Sequence, residues 1–407
     1  MKSTDVLIIG GGASGIMAAL SAAEMNADVT IVEHNDMLGR KILSTGNGKC
    51  NYTNMNMGSK YYRGSNPLFT ESALKQFGAK DTIEYFKKLG IYPKEKNGYM
   101  YPYSEQASAF VTVLTDAVRN CGIHVYLNEN ISDIREDDGF IVTLSKKEIK
   151  ARKLIFATGL LAGRKSGCDG SSFQYIEKFG HTFIDIVPAL VHLKSEASFL
   201  RMLAGIRAEI KLKLYENETE VFKDRGEALF LENGLSGIVT FQGSRFVSYA
   251  LKAGHKVTAV LDLAPDIEKK EIIERFQGDN EYKSATSALI GLLSDKLSEC
   301  IIDLLNIDPE ITAGSLRLSD IERIAETVKN FKLTITGTRS FEDAQVAAGG
   351  VNTDEINEDT MESKLIPGVY FAGELIDIDG MCGGYNLQWA WSSGRVAGIN
   401  AARNCND

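Results

Sequence analysis

After a polar start, residues 5–9 form a continuous apolar run, as a strand buried on both faces requires. The run breaks into Gly10-Gly11-Gly12-Ala13-Ser14-Gly15. Ile16, Ala19, Leu20 and Ala23 then recur at helical spacing, and a second apolar run at 27–32 stops at Glu33. Strand, glycine turn, helix, strand and acid in this order predict a Rossmann-type α/β unit. Gly10 suits the tight turn, Gly12 lets a pyrophosphate approach the backbone, and Gly15 lets helix and strand pack closely. Ala13 and Ser14 open the helix, whose N-terminal N–H groups and positive dipole end favour phosphate. Glu33 lies 23 positions after Gly10, with His34 beside it, where a carboxylate can accept from adenosine ribose hydroxyls. An acid there disfavours a 2′-phosphate at this site.

Residues 34–54 are too rich in Gly, Asn, Ser and Thr for a regular element and read as an extended loop. Within it Gly39, Arg40 and Lys41 can meet pyrophosphate charge, while Gly46, Asn47, Gly48, Cys50 and Asn51 can run close to a flat ring; a plain surface loop is the alternative. Helical patterns follow at 72–89 and 108–120. Strand patterns follow at 124–127, 131–134 (with Ile131 a candidate cofactor contact), 140–144, 148–151 and 153–157. The last ends in Ala157-Thr158-Gly159, a small turn that can face a cofactor at a strand's carboxyl end.

The texture changes at residues 190–265, where short β-rich runs alternate with polar turns, and again at 265–328, where apolar residues recur at helical spacing. These runs predict an inserted β-rich body at 189–265, a small barrel or sandwich, and a helical subdomain at 266–334. They interrupt a discontinuous cofactor domain of 1–188 and 335–407. The insertion is expected to roof the cofactor and shape a substrate pocket.

The last seventy or so residues return to glycine-rich chemistry. A strand at 369–372 ends in Gly373-Glu374, and Asp377, Asp379, Gly380, Gly383, Gly384 and Tyr385 precede a helix expected from about 389 to 402. This second crevice exceeds what NAD alone needs and fits FAD, whose ribitol and flavin reach beyond the pyrophosphate. Glu374 is placed to hold a ribitol hydroxyl, and the helix start near Asn386 and Leu387 to set its positive end against the flavin pyrimidine. Tyr385 is a candidate proton donor, a structural hydroxyl being the alternative. Arg339 and Ala348-Gly349-Gly350-Val351 are further candidates to face the pocket.

Composition narrows the class. The 407 residues, 44% hydrophobic and 24% charged with 7 Pro, suit a globular body of two or three units. A net charge of −9 without a basic stripe argues against nucleic acid and anionic membranes as partners, and no apolar run is long enough to span a bilayer. The six cysteines lack CxxC or zinc-like spacing, so reduced thiols and no metal site are expected. The N-terminus lacks a signal-peptide pattern, which points to the cytoplasm. The partner expected is a small-molecule substrate; the oligomeric state is left open.

Four blocks carry a resemblance: GGGASG at 10–15, GRKILSTGNGKCNYTN at 39–54, AGGVNTDEINEDTMESK at 348–364 and GVYFAGELIDIDGMCGGYNLQWAWSSGRVAG at 368–398. Through them the chain resembles a bacterial flavoprotein family that includes aminoacetone oxidase and a 3-dehydro-bile acid reductase. The resemblance implies an FAD domain interrupted by a β-barrel and a helical subdomain, but no substrate. Three functions follow as expectations: first, reduction of a C=C bond conjugated to a carbonyl on a hydrophobic, bile-acid or steroid-like substrate with NADH or NADPH as transient donor; as alternatives, oxidation of a small amine such as aminoacetone by oxygen, or flavin binding by a regulatory protein without turnover.

Overall fold

Valine, leucine and isoleucine without polar interruption put the Lys2–Ile9 strand at the centre of a parallel sheet, where neither face meets water. In the computed structural model, which describes residues 1–163 and 166–406, this strand lies between Val29–Val32 and Glu148–Phe156, both parallel to it. His124–Tyr126 extends the sheet parallel beyond Val29–Val32, and Val369–Phe371 pairs parallel with Leu154, Ile155 and Phe156. Phe140–Leu144 and Ile131–Glu136 add an antiparallel pair against the start of Glu148–Phe156. Ile9 is level with both Val32 and Phe156. That register sets Gly10, Glu33 and Ala157 side by side at the carboxyl edge, where ligands bind in such sheets.

Two helices cover this sheet at close range. A Cβ on Gly394 would lie 2.4 Å from the Ser14 carbonyl oxygen, and one on Gly398 2.2 Å from that of Ala18. Glycines four residues apart thus let Tyr385–Asn406 press its backbone onto Ala13–Ala23.

The chain divides into two compact units, one of Met1–Val187 with Ala344–Asp407 and one of Pro188–Asp343. The second holds a seven-stranded antiparallel sheet in the order Phe331–Ile335, Val257–Asp262, Arg207–Glu216, Thr219–Leu231, Gly234–Ser236, Leu193–Lys194, Gly337–Thr338. Its helical layer comprises Lys269–Glu274, Ala285–Leu289, Asp295–Leu304 and Leu318–Lys329. Sheet and helices share one core, in which Leu212, Leu261 and Phe331 meet Phe276, Ile301 and Ile324. The predicted 189–265 and 266–334 bodies are therefore one unit. Residues 335–343, expected with the cofactor domain, belong here as well, because Thr338 pairs with Leu193.

Local differences have local causes. The helix expected at 72–89 is two, Thr70–Gln76 and Ala79–Lys88, split where the Gly78 amide turns to donate to the Asp81 carboxylate at 3.0 Å. The runs 148–151 and 153–157 are one strand. The helix Ile238–Lys252 stands where only strands were expected, and its buried face uses Gly243, Ser244 and Ser248 rather than a leucine stripe. No helix among the described residues is long and apolar enough to cross a membrane.

His181 is a buried polar device that ties the carboxyl-terminal segment to the sheet. Its Nδ1 lies 3.1 Å from Glu355 Oε2 and its Nε2 2.8 Å from Ser363 Oγ, with the ring edge on Phe371. Burial lowers its pKa from the ordinary 6.5, against the pull of Glu355. Below 6.5 the unfolded chain therefore takes up a proton that the folded chain refuses, so this contribution to stability is present above 6.5 and lost as pH falls below it. The urea midpoint is expected to fall from about pH 8 to about pH 5.5, with a shallower slope in His181→Gln. An equal slope in wild type and variant would overturn the assignment.

Candidate functional site

The glycine turn carries three distinct constraints. Gly10 has φ +102°, and a Cβ there would stand 2.6 Å from the Ala157 carbonyl oxygen, so only glycine bridges the two strand ends. A Cβ on Gly15 would stand 1.9 Å from the Gly10 oxygen. Gly12 differs: nothing of the protein lies within 4 Å of its Cβ position, which opens into the cleft. Gly12 is also the N-cap of Ala13–Ala23 and offers no side-chain cap. The first-turn amides of a helix have no intrahelical acceptor, so these remain for an anion.

A cleft runs over this turn, lined among others by Gly10, Gly12, Ala13, Ser14, Glu33, Arg40, Lys41, Ala157, Thr158, Gly159, Glu374, Asn386 and Leu387. A second cavity shares Gly10, Glu33 and Thr158 with it and adds His34 and Ile131. The two adjoin along Gly10, Glu33 and Thr158 as one groove, with the helix N-terminus lining its first part. A dinucleotide sets a nucleoside on either side of a pyrophosphate, so the residues present fit FAD.

Electrostatics inside the groove are paired. Glu33 accepts from the Gly11 amide at 2.6 Å and from the Asn35 amide at 2.8 Å, which fixes its carboxylate at the groove wall. Lys41 Nζ meets Glu374 Oε2 at 2.5 Å, and Glu374 Oε1 accepts from the Ala347 amide. Burial alone would lower the Lys41 pKa, but the Glu374 carboxylate, with a smaller pull from Cys168, holds it above its ordinary value. Lys41 therefore stays cationic within the groove. Arg40, half exposed, lies 3.3 Å from Asp36.

Several predicted contacts stand behind the groove rather than in it. Gly15 and Gly373 serve packing; a Cβ on Gly373 would meet Ser14 Oγ at 2.5 Å. Gly39 holds φ +69° and donates to the Gly11 carbonyl. The 34–54 loop is not extended throughout: Arg40–Gly48 is helical in two 3₁₀ pieces broken by a kink, where Thr45 is extended and Gly46 and Asn47 are left-handed, and Asn47 and Gly48 are exposed. Cys50 is buried, and burial pushes its thiol up to about 12, as it does for Cys382, so neither is a thiolate at neutral pH. Asp377 accepts from the Ser65 amide, and Gly384 packs on the Thr53 carbonyl. Tyr385 begins the final helix, four residues earlier than expected, directly before the groove-lining Asn386, and stacks on Tyr61 at 4.6 Å. The Asn386 side chain spends its bonds on the Gly380 amide and carbonyl. Arg339 lies in the other unit, 3.9 Å from Asp343. Ala348-Gly349-Gly350-Val351 is buried strand, with the Gly350 Cβ position 2.5 Å from the Leu375 oxygen.

Sequence reading missed Asn35, Met37, Ser166, Gly167, Cys168, Gln345, Val346 and Ala390, all groove-lining. Gln345 and Val346 adjoin a glycine-rich strand, which was a usable signal. Ser166 to Cys168 carried none.

FAD is expected to copurify at about one per chain, with FMN absent from the acid-released cofactor. Gly12→Val is expected to fold, melting within about 2 °C of the apoprotein, and to take up no FAD, because its side chain enters only the cleft. Glu33→Ala is expected to weaken FAD binding by about 1–3 kcal/mol, the cost of an unpaired buried partner. Wild-type FAD affinity in folded Gly12→Val would overturn the placement of the pyrophosphate.

Residues 4–400 match the family described as HI0933-like protein Rossmann domain. The chain is 37% identical over 401 residues to the 3-dehydro-bile acid delta(4,6)-reductase of Clostridium scindens, covering 97% of this chain and 98% of that protein. It is 31% identical over 398 residues to the ribosomal RNA dihydrouridine synthase of Escherichia coli, covering 97% and 96%. Against the Haemophilus influenzae ribosomal RNA dihydrouridine synthase it is 28% identical over 410 residues, covering 98% and 99%. With a matching family model over almost its whole length and a dinucleotide groove at the expected strand ends, this chain belongs to the HI0933-like Rossmann-domain family and is an FAD-dependent oxidoreductase.

Proposed function

We propose that the chain reduces a C=C bond conjugated to a carbonyl on a hydrophobic, steroid-like substrate, with NADH or NADPH as donor. The observation that carries this is the 37% identity across 97% of the chain to a bile acid delta(4,6)-reductase. Dihydrouridine is also the product of saturating a C=C bond conjugated to a carbonyl, so the relatives share one bond chemistry. In the proposed reaction a hydride and a proton add across the C=C bond while NAD(P)H becomes NAD(P)⁺. FAD, when bound, supplies the hydride-transfer chemistry.

The chain's own residues bind, orient and hold protons. The Gly10–Gly15 turn and the first amides of its helix hold the pyrophosphate, Glu33 the adenosine ribose and Glu374 the ribitol. Lys41 balances the negative charge gathered in the groove. Tyr385 remains our proposed proton donor. Burial holds its hydroxyl above the ordinary tyrosine value, with Tyr61 alongside, so it keeps its proton at neutral pH. The sheet of the Pro188–Asp343 unit, whose outermost strands join through Thr336, is read as a closed barrel carrying the helical layer.

A second reading, saturation of uracil in ribosomal RNA, is favoured by the two dihydrouridine synthases. The net charge of −9 weighs against it, since it opposes attraction to a phosphate backbone.

The test is anaerobic. Protein reduced by NADH or NADPH is mixed with 3-oxo-Δ4 steroids, a uridine-bearing ribosomal RNA fragment, or oxygen, and flavin reoxidation is followed. Fast reoxidation by the steroid enones is expected. Reoxidation by oxygen alone, with bleaching of oxidised protein by aminoacetone, would overturn the proposal in favour of an amine oxidase.

A further inference from the structure

Beyond the groove, tyrosines and lysines gather on one small sheet. Pro93–Lys96 pairs antiparallel with Tyr99–Pro102, setting Lys94 across from Tyr101 and Lys96 across from Tyr99, so these four share a face. Thr53–Asn54 pairs on the other side of Tyr99–Pro102. The Asn54 side chain donates to the Gly383 carbonyl at 2.9 Å, which pins this sheet beside the start of the final helix.

The tyrosines stand beside the groove. Thr45, Asn386 and Leu387 line it. Next in the chain, the Gly46 Cβ position is 3.6 Å from the Tyr101 ring. On the other wall, Tyr385 stacks on Tyr61 with planes 13° apart, and the Gly383 Cβ position lies 2.8 Å from the Tyr99 ring and 3.3 Å from that of Tyr385. Tyr61, Tyr99 and Tyr101, each part-exposed around the buried Tyr385, thus make an aromatic patch beside the groove-lining Thr45 and Asn386. Flat apolar rings are what such a patch packs against.

The patch ends at a knot of charge. Glu105 lies 3.0 Å from Lys49, 2.5 Å from Lys94 and 2.6 Å from Lys96. Lys94 also stands over the Tyr103 ring at 5.6 Å, and Lys96 over Tyr101 at 5.9 Å. Glu105 has φ +50°, a conformation that favours glycine or asparagine, and its amide donates to the Pro102 carbonyl. One carboxylate gathers three ammonium groups and neutralises only one, so the knot stays positive and its lysines keep free N–H bonds pointing to water.

We propose that the tyrosine patch and the Lys94–Lys96 knot form the outer half of the substrate site, taking a flat apolar ring body that ends in a carboxylate. This rests on the enone-reduction reading of the groove and adds the anionic end of the substrate to it. The carboxylate replaces water on Lys94 and Lys96 in charge-assisted bonds, and the rings lie along the tyrosines toward the flavin end.

The test compares a 3-oxo-Δ4 steroid bearing a side-chain carboxylate with its methyl ester, using holoenzyme and the double variant Lys94→Gln, Lys96→Gln. In wild type the acid is expected to have the lower KM, the advantage shrinking as salt is raised. In the double variant the KM for the acid is expected to rise about tenfold or more, with kcat and the ester's KM within about twofold. Calorimetric titration of oxidised holoenzyme with the acid is expected to show the same loss. An equal KM shift for acid and ester would indicate damaged folding and overturn the anchor, as would no shift for either. Reduction of both steroids by wild type without preference overturns the anchor alone, whereas reduction of neither overturns the enone reading itself. A lysine-dependent preference for the RNA fragment over both steroids would overturn the small-acid assignment.

Discussion

A Cβ on Gly15 would sit 1.9 Å from the Gly10 oxygen, and Cβ atoms on Gly394 and Gly398 would sit 2.4 and 2.2 Å from the oxygens of Ser14 and Ala18. Backbone on backbone at these separations lets the first helix lie in a slot between the sheet and the last helix. Its N-terminus is held there at the level of three strand ends. Shifting that helix by a methyl group's width would misalign its first-turn amides and Glu33, on the neighbouring strand end, which face the same groove. The cofactor site therefore depends on a packing constraint before it depends on any polar contact.

Charge within the groove is arranged on that frame. Lys41 comes from the segment after the second strand, Glu374 from the end of Val369–Phe371, and they meet as a pair with little solvent around them. A pair of this kind contributes little net stability once desolvation is counted, and removing one partner is costly. It serves better as a charge reservoir: a cation and an anion already desolvated, each with a complementary group on a dinucleotide. The overall charge of −9 is thus no guide to the groove, which Arg40 and Lys41 line together with the helix N-terminus.

Elements with a strong local signature were legible. The Lys2–Ile9 strand, the Ala13–Ala23 helix and the Val369–Phe371 strand each announce themselves within a few residues, because apolar runs and glycine turns are local facts. Of the predicted contacts, those on this frame line the groove: Gly12, Ser14, Glu33, Lys41, Thr158 and Glu374. Predictions failed where a local pattern had two solutions. Residues 70–88 keep helical periodicity across a break that one glycine amide and Asp81 decide. Ile238–Lys252 is rich in β-branched and aromatic residues, yet packs as a helix because its small residues fit a crowded surface. The stacking of Tyr385 on Tyr61, which comes from a distant segment, had no local signal at all.

By itself the sequence determined the Rossmann turn, the acid after the second strand, the return to a glycine-rich strand and helix near the carboxyl end, and hence the cofactor class. These rest on spacings of a few residues, and on backbone conformations only glycine takes freely. Only tertiary structure decided which side chains meet: Lys41 with Glu374, Cys168 beside Lys41, His181 between Glu355 and Ser363, and three lysines on Glu105. Most of these partners are separated by tens to hundreds of residues. Nothing in a local pattern specifies the register of distant segments; that is set when the sheet, the two glycine-packed helices and the loops between them close on one another.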